Sequence, residues 1–359
     1  MAKFSPKFTI TNSITNNLLE IERIKSEIKN FPVNHKLLHS LRQTARLSTI
    51  HYSTQIEGNR LTEIEVEQVL IENKTIPNRQ RDEKEIKGYY VALDYLENIK
   101  SKKIVEENDI KTLHALVESG GNKKIKPTDY REGQNVIKDS LSGNIVYMPP
   151  ESCDVENLMK ELIKWINTED DIPAPIKASI AHYQFVTIHP YFDGNGRCAR
   201  LLTTLLLHKN GYDLSGIYSL EEYYAKDLQG YYDALTIGDS HNYYMGRAEC
   251  DITKWIEYFI NGMNIAFKSV YKKAQKFKSE KDDTKILREL DSKQRQILEL
   301  FQSQKFITSN DIAVFFNFSQ RSARNLALNW VNENFLTTVG EGKKRKYQLA
   351  KELEDKIFD

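Results

Sequence analysis

Cysteine is scarce: Cys153, Cys198 and Cys250 are the only three in 359 residues. An odd, widely spaced set supplies neither a disulfide framework nor a metal-ligand pattern, so reduced thiols are expected. Long apolar runs are lacking too. The stretch Leu201 to Leu207 falls far short of the ~20 residues that span a bilayer and is broken by Thr203 and Thr204, so it reads as a core helix. The opening Met1-Ala2-Lys3-Phe4-Ser5-Pro6 has no apolar leader core, and a cytoplasmic protein without a membrane partner is the expectation. Neither sign of charge dominates: a net charge of +1 with 40% hydrophobic residues argues against disorder and against wholesale nucleic-acid binding. No G-x-x-x-x-G-K-(S/T) occurs, which excludes the usual phosphate loop. What remains is a chain long enough for two or three domains with cores of their own.

Against these absences stands one dense stretch, His189-Pro190-Tyr191-Phe192-Asp193-Gly194-Asn195-Gly196-Arg197-Cys198-Ala199-Arg200. Pro190 disfavours α geometry at His189, so a preceding helix should end there. Gly194, Asn195 and Gly196 tolerate left-handed backbone and let the chain turn with its amides exposed. A helical run follows, whose N-terminal amides favour anions and whose Arg197 and Arg200 share a face. Amides, a helix N-terminus and two guanidinium forks together describe a polyphosphate site. Asp193 beside it would hold Mg²⁺, which takes one or two carboxylates plus phosphate oxygens. The letters Asp-Gly-Asn-Gly also suggest a calcium loop. With Gly196 at its sixth position, however, Tyr191 and Leu202 would stand where acids are required, and an EF-hand is excluded.

The twelve residues resemble the signature of the Fic family, His-Pro-Phe-x-(Asp/Glu)-Gly-Asn-Gly-Arg-x-x-Arg, departing from it only at Tyr191. The resemblance implies transfer of a nucleoside monophosphate, usually AMP from ATP, to a Tyr, Thr or Ser hydroxyl of a target protein or of the chain itself. It implies His189 as general base and Asp193 as the Mg²⁺ ligand. Gly194, Asn195 and Gly196 would form the anion cradle, Arg197 would clamp the phosphates and Arg200 would reach the γ-phosphate. The kinase-like Doc branch has Lys where this chain has Gly196, which favours nucleotidyl transfer. In-line transfer needs mainly positioning, charge stabilisation and a base, and these residue types supply all three.

Far upstream, Ser53-Thr54-Gln55-Ile56-Glu57-Gly58-Asn59 resembles the family's inhibitory pattern, (Ser/Thr)-x-x-x-Glu-(Gly/Asn). Residues 40–57 read as a helix stopped by Gly58, with Ser53 and Glu57 on one face. A glutamate in a last helical turn faces the negative end of the dipole and calls for a cation. By the resemblance that cation is Arg200, making the chain self-inhibited through an N-terminal helix. Residues 134–139 and 145–150 read as a β-hairpin turning at Ser142-Gly143-Asn144. The resemblance makes it the flap that holds a target segment by strand addition, through Val136, Ile137, Ile145 and Val146. It also sets Tyr231 and Tyr232 beside the adenine. His114 and His182 read as core histidines.

The expected fold is mainly α: a Fic-type helical bundle with a β-hairpin flap, then a small winged helix-turn-helix domain. The organisation predicted is an N-terminal helical region over 1–105, a catalytic domain over 106–275 and a winged helix over 285–359. Helices are expected near 14–29, 36–57, 62–73, 83–100, 108–118, 154–167, 174–188, 196–209 and 220–237, with a long one beginning at Asp251. Thr62 and Glu65 form a plausible capping box. In the C-terminal part, helices at 293–301, 309–316 and 319–332 precede a hairpin running from Leu336 to Leu349. Between 288 and 349, ten basic side chains face six acidic ones, and Gln320, Arg321, Arg324 and Asn325 would project from a recognition helix. DNA binding through 319–346, with Lys343 and Lys344 in the wing, is therefore carried beside the enzyme reading, as a regulator with a nucleotide-sensing Fic portion. Removal of AMP, transfer of another nucleotide and assembly as a homodimer also stay open.

Overall fold

Apolar spacing of period 3.6 organises most of the chain, and the computed structural model is correspondingly helical. It describes residues 3–29, 35–138, 143–169, 171–238, 240–279, 290–340, 342, 345–351 and 353–354. Two compact units result, Met1–Lys272 and Lys273–Asp359.

The first unit begins with α1 (Asn12–Lys29), α2 (His35–Ile56), α3 (Glu63–Leu70), α4 (Gln80–Ile99) and α5 (Glu107–Glu118). A hairpin of β1 (Ile137–Lys138) and β2 (Ile145–Tyr147) leads to α6 (Ser152–Thr168), α7 (Ala174–Ile188) and α8 (Asn195–Lys209). Then come α9 (Glu221–Lys226), α10 (Leu228–Leu235) and α11 (Thr253–Ser279). One apolar core joins Ile21 of α1, Ile50 of α2 and Leu96 of α4 with Phe185 of α7, Leu202 of α8 and Trp255 of α11. One core thus runs across residue 105, and the helices before it complete the interior of those after it.

Local chemistry sets the helix ends. Thr62 and Glu65 form the capping box at α3, each side chain bonding the other's backbone amide. The single helix expected over 220–237 is two, because Asp227 leaves helical geometry and its carboxylate accepts from Gly230 N at 3.0 Å, starting α10 anew. The long helix starts at Thr253 rather than Asp251, whose backbone bridges to Lys7 instead. The hairpin strands are shorter than expected and antiparallel, pairing Ile137 with Tyr147 and Lys138 with Ile145. Gly143 takes a φ of 71°, as a turn requires, while Ser142 lies outside the described residues. Nor is the hairpin alone: Met148 N donates to His241 O at 2.7 Å and Tyr243 N to Met148 O at 3.0 Å.

The second unit packs α12 (Ser292–Ser303), α13 (Ser309–Phe316) and α14 (Gln320–Asn332) with an antiparallel ribbon of β3 (Leu336–Val339) and β4 (Lys346–Leu349). Ile297, Ile312, Ala327, Trp330, Phe335 and Tyr347 make its core. Asp291, Thr308 and Ser319 cap the three helices with side-chain oxygens. Lys343 and Lys344 lie outside the described residues.

Candidate active site

α7 is buried on nearly every face, with Ala178 to Phe185 all enclosed, so it runs through the interior and delivers its C-terminus at a fixed place. That end is His189, in left-handed geometry with φ 52° and ψ 60°, a conformation that costs a non-glycine residue about 1–2 kcal/mol. Pro190 explains why helix cannot continue. The ring Nδ1 lies 3.4 Å from Val186 O. A carbonyl only accepts, so the proton sits on Nδ1 and the lone pair on Nε2. Burial pushes the imidazole down to about 4, with nearby Arg131 acting in the same direction. His189 is therefore neutral at pH 7, with its Nε2 lone pair free.

The following loop is stapled by Asn195, which accepts from Tyr191 N at 2.9 Å and donates to Tyr191 O at 2.8 Å. Its side chain thus shapes the cradle and does not face it. Gly194 turns the chain at φ 75° and opens α8, whose first internal bond is Cys198 N to Gly194 O at 2.9 Å. The amides of residues 195–197 have no acceptor within the helix and sit at its positive end.

Arg200 is 1% exposed. Its Nε donates to Ser53 Oγ at 2.8 Å, and Nη2 donates to Ser53 O at 2.8 Å and to Glu57 Oε1 at 2.7 Å. Nη1 makes no hydrogen bond among the described residues. Gly58, at φ 91°, ends α2 and turns the chain just past Glu57, with Gly58 N bonding Gln55 O at 2.9 Å. A Cβ on Gly196 would meet Glu57 Oε1 at 2.2 Å and Arg200 Nη1 at 3.1 Å. The glutamate carboxylate thus lies against the α8 N-terminus, where an anion from solution would go, and only glycine leaves it room.

Arg197, also buried, sends Nη2 to Glu118 Oε1 at 3.1 Å and Asp193 Oδ1 at 3.3 Å. Asp193 is largely exposed, and among the described residues hydrogen bonds reach only its Oδ1, including one from Gly194 N at 2.6 Å. Oδ2 is open, which suits a cation arriving with phosphate oxygens. No group of three His, Cys, Asp or Glu side chains among the described residues would hold a metal by itself.

With this geometry in place, comparison with known proteins can be set beside it: residues 104–207 match the sequence model of the Fic/DOC family. That stretch is similar to a Fic/DOC domain. Protein adenylyltransferase Fic of Drosophila melanogaster is 33% identical over 179 residues, 49% of this chain and 35% of that protein. The Drosophila virilis protein of the same name is 29% identical over 199 residues, 54% of this chain and 39% of its own. The chain thus spans little more than a third of these relatives. A Fic family protein from Desulfovibrio desulfuricans G20 superposes with a TM-score of 0.68 at 24% identity, covering 97% of this chain and 99% of that one. A Fic domain containing signaling protein from Bacteroides thetaiotaomicron gives 0.61 at 21% identity, covering 74% and 97%. At these identities the structural likeness is one of fold.

Around the signature, the other expected residues fall in different places. Ile145 and Val146 of the hairpin are exposed, while Val136 and Ile137 are half-buried. Tyr147 donates to Thr187 O at 2.7 Å and ties the hairpin to α7. Tyr231 is interior, and its hydroxyl lies 2.9 Å from His182 Nε2. His182 Nδ1 lies 2.9 Å from Thr203 Oγ1, whose proton goes to Ala199 O, so Nδ1–H donates and Tyr231 donates to Nε2. Tyr231 is thereby committed to the interior, and of the pair only Tyr232 is exposed, reaching Ile56 O at 3.3 Å.

Two residues of this region, Glu118 and Arg131, escaped sequence reasoning, while His114, expected as a core histidine, is buried and also touches the signature loop. His114 stacks on Tyr191 at 3.6 Å, with its Nε2 3.1 Å from Asp193 O, and shapes the signature loop from beneath. The Tyr191 hydroxyl is buried without a partner among the described residues. Glu118 holds Arg197, and Arg131 bonds the carbonyl of His189 at 2.9 Å. Their partners are remote in sequence, and no local spacing signals them.

Proposed function

We propose that this chain is a protein adenylyltransferase that moves AMP from ATP to a protein hydroxyl and is restrained by Glu57. His189 Nε2 takes the hydroxyl proton as the oxygen attacks the α-phosphorus and pyrophosphate leaves. The amides opening α8, Arg197 and Arg200 neutralise the phosphates, and Asp193 would hold the Mg²⁺ that screens them. The observation that carries this reading is Arg200: a buried guanidinium with one unpaired nitrogen and a carboxylate seated beside the helix N-terminus. Glu57 there stands in for the γ-phosphate, so ATP and the brake compete for one guanidinium. Tyr232 is the tyrosine placed to meet the base of the nucleotide, and the exposed Ile145 and Val146 suit a flap that receives a target strand. No helix among the described residues is long and apolar enough to cross a membrane.

The test incubates wild type, Glu57→Gly and Glu57→Gly/His189→Ala with Mg²⁺ and ATP labelled at the α- or γ-phosphate. Protein-bound α-label from the single mutant alone supports the proposal. Bound γ-label would mean a kinase, and release of AMP from AMP-modified protein would make removal the main activity.

A second reading rests on α14. Gln320, Arg321, Arg324 and Asn325 are exposed on its first turns, as are Arg345 and Lys346 on the ribbon. We propose that this unit is a winged helix able to bind duplex DNA, positioned mainly by phosphate contacts. Binding to random duplex should weaken steeply with salt, and replacing Arg321 and Arg324 should flatten that slope; salt-independent or absent binding would refute it.

A further inference from the structure

We infer that Arg131 is a positioning residue that locks the target-holding hairpin to the catalytic base, so that a strand added to the hairpin arrives in register with His189. The inference rests on the transferase reading above and names a part of its machinery that no motif contains.

Arg131 is 4% exposed and bonds three separate segments at once. Its Nε donates to His189 O at 2.9 Å, and its own backbone N–H donates to Pro190 O at 2.9 Å. Nη1 donates to Gly133 O at 2.9 Å, and Nη2 donates to Pro150 O. Gly133 precedes β1 and Pro150 follows β2, so the two roots of the hairpin and the carbonyl of the base converge on one guanidinium. Asn135 adds weaker bonds to Tyr191 O and Phe192 O, both at 3.4 Å.

Only arginine fits this task. A guanidinium presents donors in a rigid planar fork, whereas a lysine ammonium is a single point on a flexible stem. His189 needs such support because its left-handed backbone is uphill for a non-glycine residue, and bonds to its carbonyl hold that conformation in place. No carboxylate pairs with Arg131 among the described residues, so a cation is buried with carbonyl partners only, and those bonds must replace the solvation it gives up. Its charge also faces the imidazole, which in addition feels Glu57 and Asp193, and it disfavours a proton there. A bond that merely stabilised the loop would not have to engage the hairpin; this one engages both.

The test introduces Arg131→Lys and Arg131→Ala into Glu57→Gly and follows three quantities. Amide exchange should accelerate together in residues 133–138, 145–150 and 189–191, while α7 and α8 keep their protection. Transfer of α-label to protein should fall about 10- to 100-fold in kcat, as misplaced reacting groups do, with affinity for ATP within about threefold. Added guanidinium ion should restore part of the Arg131→Ala rate, and an equal concentration of sodium chloride should not. The inference is overturned if the hairpin and residues 189–191 change exchange independently or not at all. It is likewise overturned if ATP affinity and Tm of the lysine variant fall in step with transfer, since that describes a general structural loss. Should Glu57→Gly itself transfer no label, the transferase reading fails, and the exchange data still decide the coupling.

Discussion

Arg197 and Arg200 lie one turn apart on α8, yet they meet their carboxylates in opposite ways. Arg197 is held by Asp193, one turn before it, and by the distant Glu118 at the end of α5, and both acids are largely or partly exposed. Arg200 is held by Ser53 and Glu57, 147 and 143 residues away, in a pocket that leaves 1% of it exposed. Arg197 is itself buried, but its two acids are open to solvent, which screens the pairs and eases their replacement by a competing phosphate. A fully enclosed guanidinium with three good bonds is a different matter, because charge-assisted hydrogen bonds contribute about 1.5–3 kcal/mol each. One arginine is therefore kept ready and the other kept occupied.

The largest effect expected is on the base that both arginines serve. His189→Ala in the Glu57→Gly background should reduce protein labelling by about 10²- to 10⁴-fold with ATP affinity retained. Retained turnover would leave the arginines without the chemistry assigned to them. Next, Glu57→Gly alone should raise labelling at least tenfold over wild type; an unchanged rate would erase the distinction between the occupied and the ready arginine. Glu118→Gln should alter labelling less than about threefold, because its partner is only loosely held, and a rise comparable to Glu57→Gly would mean two brakes where one is described. Ser53→Ala should leak slightly, about two- to fivefold, since one of the three bonds to Arg200 is lost.

A pH series sharpens the contrast from another side. His114 and His189 are pushed down to about 4 and His182 to about 3, all chiefly by burial. Each refuses a proton in the native state that the unfolded chain accepts near 6.5. Stability from these groups is thus complete above about 6.5 and is lost as pH falls toward 4. Tm should decline over that window, and His182→Gln should flatten part of the decline. The labelling rate of Glu57→Gly, by contrast, should hold down to about pH 5, because His189 is still unprotonated there.

What could be read beforehand follows from how locally each feature is written. The run from His189 to Arg200 carries base, cradle and both arginines in consecutive residues, and one helix-loop-helix geometry places them all. Ser53 and Glu57 announce themselves by spacing and by an ill-placed charge at a helix end. Arg131, Glu118 and His114 act across gaps in sequence that no periodicity bridges, and their neighbours look like ordinary surface or core positions. The tyrosine pair shows a subtler limit. Tyr231 and Tyr232 are adjacent on α10, so they must point apart, and only the packing of His182 and Thr203 decides which one turns inward. The break between α9 and α10 likewise depends on whether Asp227 caps or continues a helix, a choice made by context.

α2 carries Ser53 and leads to Glu57, the proposed brake, and it is also part of the interior. Ser53, Thr54, Ile50 and Ile56 on that helix are all buried, the two isoleucines in the same core that holds Phe185 and Leu202. Withdrawing the helix would return those side chains to water at about 1.5–3 kcal/mol for each isoleucine, before any polar loss is counted. Glu57 itself needs no such withdrawal, since it lies past the helix end, partly open to solvent, next to a glycine. Release then needs only the bond to Arg200 to break and the side chain to rotate, and not a slow undocking of the helix. Inhibition of this kind sets an occupancy, not a waiting time: the enzyme would respond at once to whatever outcompetes one carboxylate, and proteolytic trimming of α2 would unfold the catalyst it was meant to free.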